Sequence, residues 1–157
     1  MMEYLHLAAV LLLAYLAGSV PTSIVVGRLF FRKDIRDYGS GNAGGTNAVR
    51  VFGWKAGIAV ILVDIGKGVF AVLLAARLPL FSGMETPALP ADALALAAGV
   101  AAVCGHIWTV FASFRGGKGV ATAAGMIAAL YPAGFAAALL VFVAVVAATG
   151  IVSVGSI

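Results

Sequence analysis

Long apolar runs alternate with short polar segments along the chain, and the run lengths set the elements. Leu5 to about Val26 predicts a first transmembrane helix, because a bilayer core of about 30 Å takes roughly 20 apolar residues. Gly18-Ser-Val-Pro21-Thr-Ser interrupts its second half. Proline there frees backbone groups that must be satisfied inside the protein, so this face is expected to pack against other helices or to line a polar site. Arg28 to about Phe52 reads as a polar loop, about Trp54 to Ala76 as a second span, and Arg77 to Ala91 as a short outer loop with Pro79, Pro87 and Pro90. A third span runs from about Asp92 to Phe111, and Ala112 to Lys118 forms a second polar loop. Gly119 to Thr149 is too long for one crossing, about 46 Å as a single helix at about 1.5 Å per residue, so a break is expected at Tyr131-Pro132. The expected fold is an all-α polytopic membrane protein, one integral membrane domain over 1–157. It has about five transmembrane helices, the fourth of them short.

Composition agrees with that class. The chain is 63% hydrophobic and only 10% charged, with mean hydropathy +1.12, where a soluble domain has about 25% charged residues. Six of the ten Lys and Arg lie between Arg28 and Lys55, so the net charge of +4 is a local feature and argues against nucleic acid. By the positive-inside rule both polar loops face the cytoplasm and the amino terminus faces outward. Two loops on one side can form one site. Cys104 is the only cysteine, which excludes a disulfide framework and a CxxC metal pair.

The polar segments carry the candidate chemistry. Gly39-Ser-Gly-Asn-Ala-Gly44 matches Gly-x-Gly-x-x-Gly, but it follows a charged juxtamembrane loop where a dinucleotide site needs a β-strand. What remains is an anion-binding backbone: Gly39, Gly41 and Gly44 for the turns, Ser40, Asn42, Thr46 and Asn47 as short donors, and Arg50 as a fork for phosphate oxygens. Arg115-Gly-Gly-Lys-Gly119 lacks the Ser or Thr that a Walker A lysine requires next. It keeps the physics of one, with Arg115 and Lys118 as charges among Gly116, Gly117 and Gly119 at the opening of a helix that holds Thr122. A plain glycine-rich turn or a lipid-facing basic anchor is the bland alternative for each segment taken alone. Asp64 and Lys67 lie three residues apart on one helix face within the second span and read as a mutually neutralised structural support pair. His106 is a candidate general base, or a hydrogen-bonded structural group. No metal site or organic cofactor is indicated.

These residues resemble a known family. Gly18-Ser-x-Pro, Gly39-Ser-Gly-Asn-x-Gly-x-Thr-Asn47-x-x-Arg50, Asp64-x-x-Lys-Gly68, Gly105-His-x-x-x-Phe and Phe114-Arg-Gly-Gly-Lys-Gly-Val-Ala-Thr122 are similar to the bacterial acyl-phosphate:glycerol-3-phosphate acyltransferases of the PlsY type. The resemblance implies a multi-pass inner-membrane enzyme with its site on the cytoplasmic side. Its substrates would be acyl phosphate and glycerol 3-phosphate in a membrane-lipid environment, and its products lysophosphatidic acid and phosphate. It further implies that Ser40, Thr46, Arg50 and Lys118 contact the phosphates and that substrate phosphate helps to remove the hydroxyl proton; with the candidate base His106, Ser40, Arg50 and Lys118 are the expected catalytic residues. Ile151-Val-Ser-Val-Gly-Ser-Ile157 resembles the start of a third family motif, with Ser153 and Ser156 as candidate contacts, and the chain reads as C-terminally truncated relative to the family. His106-x-x-x-x-Phe111 departs from the His-x-x-x-x-Asp of the other large glycerolipid acyltransferase family. A phosphate or anion transporter, and an inactive fragment serving membrane assembly, are the alternatives.

Overall fold

The computed structural model describes residues 1–73 and 88–150. Among the described residues seven α-helices follow one another: α1 Met2–Gly18, α2 Thr22–Phe31, α3 Gly45–Phe52, α4 Trp54–Leu73, α5 Ala91–Ile107, α6 Val120–Leu130 and α7 Pro132–Thr149. Single 3-10 turns lie at Ile35–Asp37 and Val110–Ala112, and there is no strand among the described residues. Four stretches are long and apolar enough to cross a membrane, Met2–Phe31, Trp54–Leu73, Ala91–Ala112 and Pro132–Thr149, with α6 as a shorter apolar helix. The expected all-α membrane fold is therefore observed, and the break at Tyr131-Pro132 falls between α6 and α7. The loop expected at 77–91 lies largely outside the described residues, as do Ser153 and Ser156.

Two boundaries differ from expectation. The first span is two helices, parted at Ser19-Val20-Pro21, and α2 runs on to Phe31. Proline removes a backbone donor and fixes φ, which ends α1, yet the apolar run resumes at once and so does the helix. The expected loop to Phe52 also contains α3, whose Gly45, Asn47 and Ala48 are buried while Thr46, Val49 and Arg50 are exposed. Eight residues between two glycines gave too short a period to separate from a loop.

Small residues let the helices touch backbone to backbone. A Cβ on Gly18 would lie 2.0 Å from the Ala102 carbonyl oxygen and one on Gly105 would lie 2.1 Å from that of Tyr15, which seats α1 on α5. Gly68 and Gly125 do the same for α4 and α6, against Thr122 and Ile65. Val10, Ala14, Ala71, Leu94, Ala98 and Ala102 form the apolar core between these helices. None of α7 is buried, and its Leu, Val and Phe side chains form an outer apolar surface suited to lipid.

Candidate functional site

The first glycine-rich segment is folded around one buried side chain. Asn47, 2% exposed, accepts the Ser40 N–H at 2.9 Å through Oδ1 and donates through Nδ2 to the carbonyls of Tyr38 at 3.0 Å, Asn42 at 3.1 Å and Ile35 at 3.3 Å. Both of its amide hydrogens are engaged within the loop. Gly39 sits at φ +61° with its missing Cβ facing Asn47 Oδ1 at 2.3 Å, so the turn needs glycine for conformation and for space. The loop leads into α3, whose first backbone bond is Ala48 N–H to the Gly44 carbonyl at 3.0 Å. The N–H groups of Gly45, Thr46 and Asn47 precede that bond and remain for an anion. Thr46 and Arg50 are both exposed and, four residues apart, share one face of α3.

α3 folds back along the start of α4. Gly53, at φ +87°, makes the turn, Val49 covers Gly57, and Ile61 covers Gly45. The N-terminus of α3 thus reaches seven residues along α4, about 10 Å at the α-helical rise. Asp64 is one helical turn further on. The Asp64–Lys67 pair therefore lies close to the N-terminus of α3.

The second segment differs from the expected open nest of glycine N–H groups. Gly116 N–H donates to the Ile107 carbonyl at 3.0 Å and Gly117 N–H to that of His106 at 3.1 Å, so both cap the end of α5. In the first segment, Gly41 N–H is likewise used by the Tyr38 carbonyl at 3.1 Å. Carbonyls left at a helix end draw in the nearest donors, and glycine can approach them closely. The donors left over are at the start of α6, where Val120, Ala121 and Thr122 precede the first helical bond, Ala123 to Gly119 at 2.8 Å. Lys118 and Arg115 are exposed beside them. Thr122 is fully buried, its backbone against Gly68, with no partner for Oγ1. The two segments meet: the missing Cβ of Gly117 would be 3.0 Å from the Ala43 carbonyl oxygen and 2.2 Å from His106 Nε2.

Beneath this contact lies a buried polar group. Lys67 Nζ donates to Asp64 Oδ1 at 2.6 Å and to the Val20 carbonyl at 2.6 Å, and Thr22 Oγ1 donates to the same carboxylate oxygen at 2.9 Å. Lys67 thereby occupies a carbonyl at the break between α1 and α2, and α2 is tied to α4. His106, 7% exposed, brings Nδ1 to 3.7 Å from Asp64 Oδ1, beyond hydrogen-bond distance for neutral groups. Thr109 Oγ1 donates to the Ser19 carbonyl. Ser19, Thr22, Ser23 and Thr109 are all buried here. Of these, Ser19, Thr22 and Ser23 stand in the Gly18-Ser-Val-Pro21-Thr-Ser interruption, whereas nothing in the sequence marked Thr109.

A third polar group braces the loop from the side. Asp34 accepts Arg36 Nε at 2.9 Å, Arg36 Nη2 at 2.8 Å and Arg28 Nη2 at 2.8 Å, while Arg36 Nη1 donates to the Ala112 carbonyl at 3.1 Å. The Arg36 hydrogen bonds hold the Asp34 carboxyl well below the usual carboxylate range and raise Arg36 in turn. Ile24, Ile35, Ala43 and Ala112 form a small apolar cluster under this brace, so the two glycine-rich segments share one support. Among the described residues no group of three His, Cys, Asp or Glu is placed to hold a metal.

Comparison with known proteins gives the same picture from a separate direction. A family model described as glycerol-3-phosphate acyltransferase matches residues 8–157. The glycerol-3-phosphate acyltransferase of Chlorobaculum parvum is 51% identical over 150 residues, covering 95% of this chain and 65% of that protein. That of Chlorobaculum tepidum is 50% identical over 152 residues, with the same coverage. The chain thus spans 65% of the length of these relatives. The crystal structure of PlsY (YgiH), an integral membrane glycerol 3-phosphate acyltransferase, in its glycerol 3-phosphate form superposes with a TM-score of 0.81 at 34% identity, covering 96% of this chain and 70% of that one. The lysophosphatidic acid form gives 0.77 at 32% identity, covering 96% and 69%. With its helices, its two joined glycine-rich segments and these relatives in agreement, the chain belongs to the glycerol-3-phosphate acyltransferase family.

Proposed function

We propose that this chain carries the substrate-holding part of an acyltransferase that moves a fatty acyl group from acyl phosphate to the 1-position of glycerol 3-phosphate, yielding lysophosphatidic acid and phosphate. The observation that carries the reading is the contact of Gly117 with Ala43, which joins two cation-bearing segments far apart in sequence. Both substrates are phosphates. The exposed Arg50 and Lys118, with the N-termini of α3 and α6, provide charge and N–H donors for them. Ser40 and Thr46 are exposed on the first segment as further short donors, and Asn42 borders them.

The reaction asks little covalent work of the protein. The 1-hydroxyl oxygen forms a bond to the acyl carbon, the bond from that carbon to the phosphate oxygen breaks, and the hydroxyl proton ends on the departing phosphate. Holding two anions together against their repulsion and aligning the hydroxyl supply the rate. His106, buried under Gly117, fits a positioning role better than that of a base. Asn47 fits a loop organiser better than a phosphate ligand. In this reading Asp64 and Lys67 fix the helix break beneath the site, and Ser153 and Ser156 remain candidate contacts from the third motif. The excess of Lys and Arg in the polar segments supports a site on the cytoplasmic face of a bacterial inner membrane. The family relationship favours this reading over an anion transporter or an inactive assembly element.

The test is phosphate release from palmitoyl phosphate with and without glycerol 3-phosphate, by this chain and by the chain extended with a family carboxyl terminus. Glycerol-3-phosphate-dependent release is expected at least from the extended form, and Arg50→Ala or Lys118→Ala is expected to lower it about a hundredfold or more. Release from neither form, or near-normal release in either variant, would refute the assignment.

A further inference from the structure

A groove of about 390 Å³ lies beside the braced loop, lined by Pro21, Ile24, Val25, Arg28, Arg36, Phe111, Ala112 and Ser113 and by neither Arg50 nor Lys118. One wall, Pro21, Ile24, Val25 and Phe111, is apolar, and two guanidinium groups are part of the other. The two differ in what they can still bind. Arg36 is a strut: Nε and both terminal nitrogens are engaged by Asp34 and the Ala112 carbonyl. Arg28 has only Nη2 engaged, its side chain is 62% exposed, and its remaining donors are open. Asp34, held well below the usual carboxylate range, is shared by both cations, and Asp37 adds its charge on Arg36 alone, so compensation falls mainly on Arg36 and Arg28 keeps its open donors for an anion. Around the groove Leu29, Phe30, Phe111 and Phe114 are exposed, a set of apolar and aromatic side chains suited to the membrane interface.

We infer that this groove holds an anionic phospholipid of the surrounding bilayer, with its phosphate on Arg28 and the start of one acyl chain along Ile24, Val25 and Phe111. Charge complementarity selects the occupant. A free anion would use Arg28 and leave the apolar wall wet, and a neutral lipid would cover the wall and leave the guanidinium without a partner. The groove lies outside the glycine-rich segments, but Ala112 and Ala43 share the apolar cluster beneath them, so a lipid here would steady the first segment from behind. The inference goes beyond the acyltransferase reading and does not depend on it.

The test is native mass spectrometry of the purified chain titrated with dioleoyl phosphatidylglycerol and, separately, with dioleoyl phosphatidylcholine. Preferential retention of phosphatidylglycerol is expected, about tenfold weaker in Arg28→Gln and blocked in Val25→Trp, which fills the groove without changing its charge. Arg32→Gln removes the same formal charge from an exposed side chain outside the groove and is expected to change retention far less. Equal losses in Arg28→Gln and Arg32→Gln would mean diffuse attraction and overturn the inference. So would full retention in Val25→Trp, or displacement of the lipid by inorganic phosphate alone. Displacement by palmitoyl phosphate at matched concentration would assign the groove to the acyl donor and likewise overturn it.

Discussion

Replacing Asp64 with Leu should be among the most damaging single changes in the chain. Asp64 is 1% exposed and Lys67 6%, so removing the carboxylate leaves a buried ammonium with only the Val20 carbonyl as partner. Breaking a buried pair from one side costs about 3–5 kcal/mol, and about 4.1 kcal/mol is a thousandfold change in an equilibrium constant. The double variant Asp64→Leu/Lys67→Met removes both charges. It forfeits the Lys67 bond to the Val20 carbonyl and the Thr22 bond to Asp64. The orphaned Val20 carbonyl costs about 1–3 kcal/mol, while Thr22 can turn its hydroxyl to a helical carbonyl instead. The double variant should therefore recover part of the stability that the single variant loses. Denaturant unfolding in detergent micelles, followed by fluorescence of Trp54 and Trp108, measures all three proteins. A single variant as stable as the parent, or a double variant less stable than the single, would refute the account of the helix break.

Four further outcomes follow from other parts of the fold. Gly117→Ala places a Cβ 2.2 Å from His106 Nε2, so its destabilisation should shrink in a His106→Ala background, where that space is empty; a double-mutant cycle with no coupling would contradict this. Gly68→Ala meets backbone at 2.1 Å and 2.7 Å, the Thr122 oxygen and the Met126 nitrogen, and should cost about 1–3 kcal/mol or more in the same unfolding assay. Gly66→Ala, with nothing within 4 Å, should be neutral or stabilising by about 0.5–1 kcal/mol. Because the folded pKa of Asp34 is depressed, its contribution is complete above the ordinary value of 3.8 and is lost only as the pH falls below that toward the folded value. The stability gap between the parent and Asp34→Asn should therefore be flat from neutral pH to about pH 5, and a gap that closes within that range would be inconsistent with the brace.

Much of the architecture was legible because a bilayer fixes helix length. Run length and proline alone gave spans from about Trp54 and from about Asp92 to Phe111, where α4 begins at Trp54 and an apolar stretch runs Ala91–Ala112, and they gave the break at Tyr131-Pro132. The helix α3 was not legible, since eight residues after a glycine-rich turn carry little period. Its pairing with α4 depends on Gly45 and Gly57 meeting Ile61 and Val49, which is tertiary information. The glycine-rich segments were recognisable as turns near charge, but not in the assignment of their donors. Gly116 and Gly117 spend their N–H groups on the end of α5, and Asn47 spends its amide on its own loop. The surroundings of the Asp64–Lys67 pair could not be read either, because Val20 lies 47 residues from Lys67 and Thr22 and His106 each lie 42 residues from Asp64, and they converge only through the packing of α2, α4 and α5.

The central claim is that the two glycine-rich segments form one phosphate site. Isothermal titration of glycerol 3-phosphate into the purified chain, beside Arg50→Ala and Lys118→Ala, tests it most directly. One binding event, weakened about tenfold or more by either substitution, is the predicted result. Parental affinity in one of the two variants would show that its segment stands apart from the site and would contradict the claim.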